Sequence, residues 1–279
     1  MRVQCVGCGS GAVTERPERT AQGYKRFRCR ACGKQSNERT GTVLNRAQYP
    51  SDVIALVVLW RLRYKLSLRD LPEMFAVRGM VFSHEAVRDW EAKLTPALAE
   101  ELRRRRRGKA GCSWYVDETS IKVDGRWCYV YRAIDGSGAL VDVLFSEHRD
   151  MKAARAFFRS AKMVTGITPD RVTTDGHDSY PRAIRSELGK TELGKEVRHR
   201  TNRYLNNRLE QDHRGLKGRY WPMLGFKCPR SAARFCRAYD ELRNYLRSRT
   251  RRNQHVPAFR RRVLFLQRSV TVLGLLEAA

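Results

Sequence analysis

The chain has 279 residues, with 56 Lys and Arg against 29 Asp and Glu, for a formal net charge of +27. Hydrophobic residues make up 42%, enough to bury a sizeable core, which excludes a disordered basic tail. No run reaches the roughly 18 apolar residues of a spanning helix, so a polyanion, above all nucleic acid, is the stronger partner and a membrane the weaker one.

Met1 is followed closely by Cys5 with no apolar signal region between, so a cytoplasmic protein is expected. In that compartment the eight cysteines read as thiols or metal ligands before disulfides. Within residues 1–45, CVGC and CRAC form C-x2-C-x20-C-x2-C. This spacing suits a small module stapled by one structural zinc on Cys5, Cys8, Cys29 and Cys32, with free thiols or a redox role as the alternative. Tyr24, Lys25, Arg26 and Arg28 lie between the pairs, and Arg26 and Arg28 are candidate DNA contacts; a docking role is the other reading.

Residues 46–101 read as helical. SDVIALVVLWRL at 51–62 is a capped, helix-length apolar run. SLRDLPEMFAVRG at 67–79 starts a second helix, and SHEAVRDWEAKL at 83–94 a third, capped by Ser83 and followed by Pro96. The last two resemble a helix-turn-helix in which Arg88 and Lys93 reach DNA. The acidic Glu85, Asp89 and Glu91 fit a pair that only packs on the core. The arginines at 103–107 read as a solvated basic linker over 102–112.

From Ser113 to 250 the texture becomes α/β. WYVDETSIKV, RWCYVYRAID and ALVDVLFSEH are three strands joined by short turns; RVTTDG at 171–176 and EVRHR at 196–200 are a fourth and fifth. Helices are expected at 151–164, 181–189, 206–221 and 231–247. Three sequential strands followed by alternating units indicate a mixed five-stranded sheet flanked by helices. A basic helical extension completes the chain over 251–279.

Three carboxylates stand out. Alternation along the first strand sends Asp117 and Glu118 to opposite faces, so only one enters a given site, and Glu118 is the decoy. Asp175 ends the fourth strand, at the carboxyl end where sites gather. Glu210 lies at the edge of an apolar stripe of Leu205, Leu209, Leu216 and Tyr220, with His213, Arg214 and Lys217 on its side of the helix. Asp178 reads as a helix cap and Asp212 as a solvated side chain. Three carboxylates in a basic chain suit two divalent ions, Mg²⁺ or Mn²⁺, acting on phosphodiesters.

Asp117, Asp175 and Glu210, with 34 residues between the last two and Lys217 seven after Glu210, resemble the catalytic residues of D-D-E transposases and retroviral integrases. WYVDETSIKVDGRWCYVYRAID, VTTDGHDSYPRAI, RYLNNRLEQDHRGLKGRYWPMLGF and SAARFCRAYDELRNY are similar, in order, to blocks of prokaryotic insertion-sequence transposases of the cointegrate-forming group. The four-cysteine module and the Gly215/Gly218 pair depart from the shorter members. The resemblance implies a ribonuclease-H-like core, preceded here by the zinc ribbon and the helix-turn-helix-like domain. It implies an enzyme that nicks double-stranded DNA at element ends and joins the 3′ hydroxyls to target DNA. Asp117, Asp175 and Glu210 would be the metal ligands, with His177, Arg214 and Lys217 near phosphate, His213 either there or a surface or packing histidine, and a homodimer or larger assembly on DNA. A stand-alone nuclease or resolvase, and a non-catalytic DNA-binding regulator, are the competing functions.

Overall fold

The structure, a computed structural model, describes residues 4–191, 193–202, 207–248 and 256–279. Leu205, expected in the apolar stripe, and residues 249–255 of the basic C-terminal run lie outside the described residues. Three short strands come first, β1 (Val13–Arg19), β2 (Lys25–Cys29) and β3 (Gln35–Asn37), paired antiparallel in that order. Phe27 and Cys29 are buried while Arg26 and Arg28 point to solvent, so β2 follows the alternation of a half-buried strand. The Tyr24 hydroxyl ties this sheet to the first helix of the chain, accepting the Ser51 backbone N–H at 2.7 Å. Arg39, buried, donates to the carbonyls of Leu44 and Tyr49.

Helix α1 (Ser51–Arg63) is apolar on nearly every side because it is surrounded. It packs on α3 (His84–Arg105), α7 (Pro229–Leu246) and α8 (Ala258–Ala278). Between α1 and α3 lies a short α2 (Asp70–Ala76), which takes Pro72 in its first turn, where a missing N–H costs little. Helix α3 does not stop at Leu94. It continues through Pro96 for a further nine residues to Arg105. A proline inside a helix costs about 3 kcal/mol, but Leu94, Thr95, Leu98, Ala99 and Leu102 all bury, which offsets it.

The expected solvated linker is corrected by the same continuation. Leu102 and Arg103 are buried. Arg103 pairs with Asp142 at 3.1 Å, and Arg106 pairs with Glu241 at 2.7 Å while donating to the carbonyl of Val141 at 2.5 Å. Two members of the arginine run therefore hold α3 to the sheet and to α7, because Asp142 and Glu241 are fully buried and need cations.

The larger sheet contains β4 (Ser113–Val123), β5 (Arg126–Asp135), β6 (Leu140–Ser146), β7 (Arg171–Thr174) and β8 (Arg198–Thr201), in the order β6-β5-β4-β7-β8. The first three form an antiparallel meander, and β7 and β8 join parallel to β4. This α/β arrangement fits the ribonuclease-H-like core that the sequence resemblance implies. Helices α4 (Met151–Thr165) and α5 (Ser179–Glu187) cover one face through Trp114, Val116, Tyr131, Phe157 and Phe158. The other face, through Ile121, Val123, Val130 and Val143, shares a core with α6 (Asn207–Tyr220), α7, α1, α3 and α8. Burial on both faces explains why β5 and β6 read as nearly continuous apolar runs. Among the described residues, no helix is long and apolar enough to cross a membrane.

Candidate active site

Strands β4 and β7 pair only from Ser113↔Arg171 to Tyr115↔Thr173. Extending that register by two residues sets Asp117 opposite Asp175, just past the end of β7. The chain turns there through Gly176 at φ +97°, where a Cβ would lie 2.6 Å from the Thr201 methyl, so glycine is required. The His177 N–H donates to Asp175 Oδ1 at 3.1 Å and fixes the carboxylate at the mouth of the turn.

The alternation along β4 holds. Asp117 Oδ2 lies 3.8 Å from His213 Nδ1 of α6, and Glu118 takes the Tyr180 hydroxyl of α5 on the opposite face. The exclusion inferred from it does not hold. Carboxylate oxygens of Asp117, Glu118 and Asp175 all lie within 4.8 Å of one another. Because β7 has ended, no strand among the described residues pairs with this edge of β4 at Asp117, and side chains from both faces meet around it. Glu118 is therefore part of the cluster. It is held by Tyr180 and by the Arg149 guanidinium, whose Nη2 contacts Glu118 and also stands 3.9 Å from Asp175.

Helix α6 brings the third element. Leu209 and Leu216 bury as expected, but so do Asp212 and His213. Asp212, expected on a solvated face, accepts from Arg243 of α7 at 2.6 Å and lies 3.6 Å from the buried Arg132 of β5. This pairing locks α6 across the sheet. Gly215 permits the approach, since a Cβ there would meet the Tyr239 hydroxyl at 3.1 Å. The helix runs unbroken through both Gly215 and Gly218. His213 is buried and faces Asp117, as the packing alternative has it, and does not stand at the surface. Glu210 is exposed, one turn before His213, and is not a member of the 4.8 Å group. Arg214 and Lys217 are exposed farther along the same helix.

The remaining expected residues fall as follows. His177 is half-buried, with Nδ1 2.8 Å from the Ser179 hydroxyl. Asp178 stands at the start of α5 but makes no side-chain cap. Arg88 and Lys93 are exposed on α3, tied to Glu85 at 2.8 Å and Asp89 at 2.8 Å. Sequence reasoning missed Arg149, which lies 31 residues from Glu118 and carries no motif of its own, and Tyr180, which follows Asp175 by five residues but gives no local sign that it reaches Glu118.

Electrostatics make the cluster an anion-rich cavity in a cationic protein. Burial, with Glu118 and Asp175 close by, pushes the Asp117 carboxyl from 3.8 up to about 7. Burial, with Arg132 and Lys217 nearby, pulls His213 down to about 3, so its imidazole is neutral and offers Asp117 no counter-charge. Hard oxygen donors repelling one another at this range fit a divalent cation of the magnesium class.

A second donor set lies in the N-terminal sheet. The Sγ atoms of Cys5 and Cys32 are 3.6 Å apart and those of Cys8 and Cys29 are 3.7 Å apart, and all four fall within 4.8 Å of one another. Tetrahedral zinc with bonds of about 2.3 Å requires sulfurs about 3.8 Å apart, so these four fit that ion.

A family model of the DDE domain, of the IS240 transposase type, matches residues 111–249. The transposase for insertion sequence-like element IS431mec of Staphylococcus aureus is 37% identical over 172 residues, spanning 62% of this chain and 75% of that protein. The transposase for insertion sequence element IS257 in transposon Tn4003, from the same species, matches to the same extent. A chain from the structure of the simian T-cell lymphotropic virus intasome in complex with PP2A regulatory subunit B56 gamma overlaps 55% of this chain and 59% of its own length, at 15% identity and a TM-score of 0.37. The mixed sheet and its matched domain define a polynucleotidyl transferase of the DDE class. The chain belongs to the DDE-domain transposases of insertion sequences.

The Asp117 shift has a consequence for stability. The folded protein keeps this proton between pH 3.8 and about 7, where the unfolded chain releases it. The stabilisation from proton uptake is therefore lost as pH rises through that window and is gone above it. In chelator, thermal melts from pH 5 to pH 8 should fall more steeply for the native protein than for Asp117→Asn. Identical slopes would contradict the crowding of these carboxylates.

Proposed function

We propose that this transposase nicks DNA at the ends of its insertion sequence to expose 3′ hydroxyls and joins those hydroxyls to target DNA. The observation that carries the reading is the placement of Asp117 and Asp175 at one open strand edge, with a helix bearing Glu210 locked above them. When bound, two divalent ions, magnesium or manganese, activate the attacking oxygen and stabilise the leaving one. Asp117 and Asp175 offer their oxygens from the sheet, and Glu210 offers its own from α6. Glu118 already accepts from Arg149 and Tyr180, which leaves Asp117 and Asp175 with the more open oxygens. Neutral His213 sets the floor behind Asp117 without competing for a cation. Lys217 and Arg214 extend from the helix toward the phosphates on either side of the scissile bond.

The attacking group in the first step is water and in the second the freed 3′ hydroxyl. Each displaces an oxygen from phosphorus directly, so no covalent protein–DNA intermediate forms. The Tyr180 hydroxyl is already engaged by Glu118 and is not a free nucleophile.

The N-terminal module is read as a zinc ribbon held by Cys5, Cys8, Cys29 and Cys32. Arg26 and Arg28 lie exposed on its central strand and are placed to meet DNA. The α2–α3 pair is read as the part that selects element ends, with Arg88 and Lys93 outward on α3. Two or more protomers on DNA would allow both ends to be joined together.

Two experiments test this reading. Asp117→Ala, Asp175→Ala and Glu210→Ala should each retain binding to an element end while lowering Mg²⁺-dependent nicking and joining by roughly three orders of magnitude or more. Nicking that survives in all three contradicts the site, and nicking without joined product in the native protein indicates a nuclease. Metal analysis of the native chain should give one zinc, lost in Cys5→Ser and in Cys29→Ser; unchanged zinc in both variants removes the ribbon.

A further inference from the structure

A cleft of about 730 Å³ opens away from the acidic cluster, between the end of α3, the start of β6, the end of α7 and α8. Its walls carry Arg104, Arg105, Arg106, Lys109, Arg247 and Arg268. The acids available to these six cations are few. Glu241 is taken by Arg106, and the single carboxylate of Glu101, behind the wall, is shared by Arg104 and Arg105 at 2.8 Å each. Six cations against those two carboxylates leave four in excess. Arg268 donates to the carbonyl of Arg247, which neutralises nothing, and fixes α8 against the end of α7. Arg247 stands 3.9 Å from Asp212, but that carboxylate is already held by Arg243 at 2.6 Å.

So much unpaired charge gathered in one concavity is costly unless something anionic occupies it. The arginine run divides its charges between two uses. Arg103 and Arg106 are spent on buried acids, whereas Arg104, Arg105 and the nearby Lys109 are turned outward. The floor is partly apolar, with Leu102, Leu140 and Tyr245 between the cations. A sugar–phosphate backbone combines spaced negative charge with apolar sugar edges and matches this lining. Duplex DNA is favoured over a small anion because the cations line a cleft of this volume from several elements and do not converge on one point.

We propose that this cleft is a second duplex-DNA contact, which grips phosphates of a segment other than the one being cut. The partner rests on the transposase reading, but the site does not depend on the acidic residues. Asp212, held by Arg243, adjoins His213, which backs Asp117, and none of these four residues lines the cleft. DNA held there anchors the complex from the side and uses the sheet and α7 as a rigid spacer. The contact is to backbone and so carries no base sequence.

The test uses the full chain, in chelator, with a fluorescent duplex. Lys109→Ala, Arg247→Ala and Arg268→Ala together should weaken binding at least tenfold at about 0.15 M salt, and should lower the slope of log affinity against log salt by about 3. The comparison is Lys162→Ala, Arg182→Ala and Arg185→Ala, three cations exposed on α4 and α5 over the opposite face of the sheet. A matched loss in that variant, or no loss in the cleft variant, overturns the proposal, because the effect is then the general field of the protein or nothing. Lys109→Glu, a single change at an exposed side chain, gives the same answer if the triple variant does not fold, with an expected slope change of more than about 1. A native chain that binds no duplex would instead sink the transposase reading itself.

Discussion

Mutual repulsion of carboxylates at one open strand edge is the constraint on which this molecule turns. β7 pairs with β4 for three residues and then leaves, so among the described residues no strand pairs with that edge of β4 at Asp117. Asp117, Glu118 and Asp175 crowd into that gap. The protein supplies one guanidinium, Arg149, and a phenol, Tyr180, and both are directed mainly at Glu118. Repulsion remains at Asp117, whose carboxyl is raised to about 7 by burial first and then by the charges of Glu118 and Asp175. A cation from outside resolves it. The same chain that carries a net +27 thus keeps a small, rigid negative cavity for the ions its chemistry needs.

Rigidity comes from buried pairs around that cavity. Asp212 with Arg132 and Arg243 fixes α6, and Asp142 and Glu241 with Arg103 and Arg106 fix α3 and α7. Buried ion pairs of this kind contribute little net stability but strongly penalise any arrangement that separates them. Their value here is register: they decide which face of α6 meets the sheet, and hence where Glu210 stands relative to Asp117.

Much of this is legible in the sequence, and the part that is not has a common cause. The five strands, the position of Asp175 at the end of β7 and the helical stripe of α6 follow from local periodicity and turn residues. The four cysteines announce themselves by spacing. Glu118 cannot be placed from sequence, because whether both faces of a strand share a site depends on where its neighbour stops pairing. Asp212 and the arginine run look solvated for a similar reason. A charged residue on a helix reads as exposed until its partner, 135 residues away for Arg106 and Glu241, is brought to it. The extension of α3 through Pro96 reflects tertiary burial overriding local preference.

Anomalous diffraction from crystals of the protein with manganese and an element-end duplex would test the central claim most directly. The account requires manganese peaks between the Asp117 and Asp175 carboxylates, with Glu210 drawn in from α6 as a further ligand. Manganese bound elsewhere, or an occupied site from which Glu210 stays turned to solvent, would contradict it.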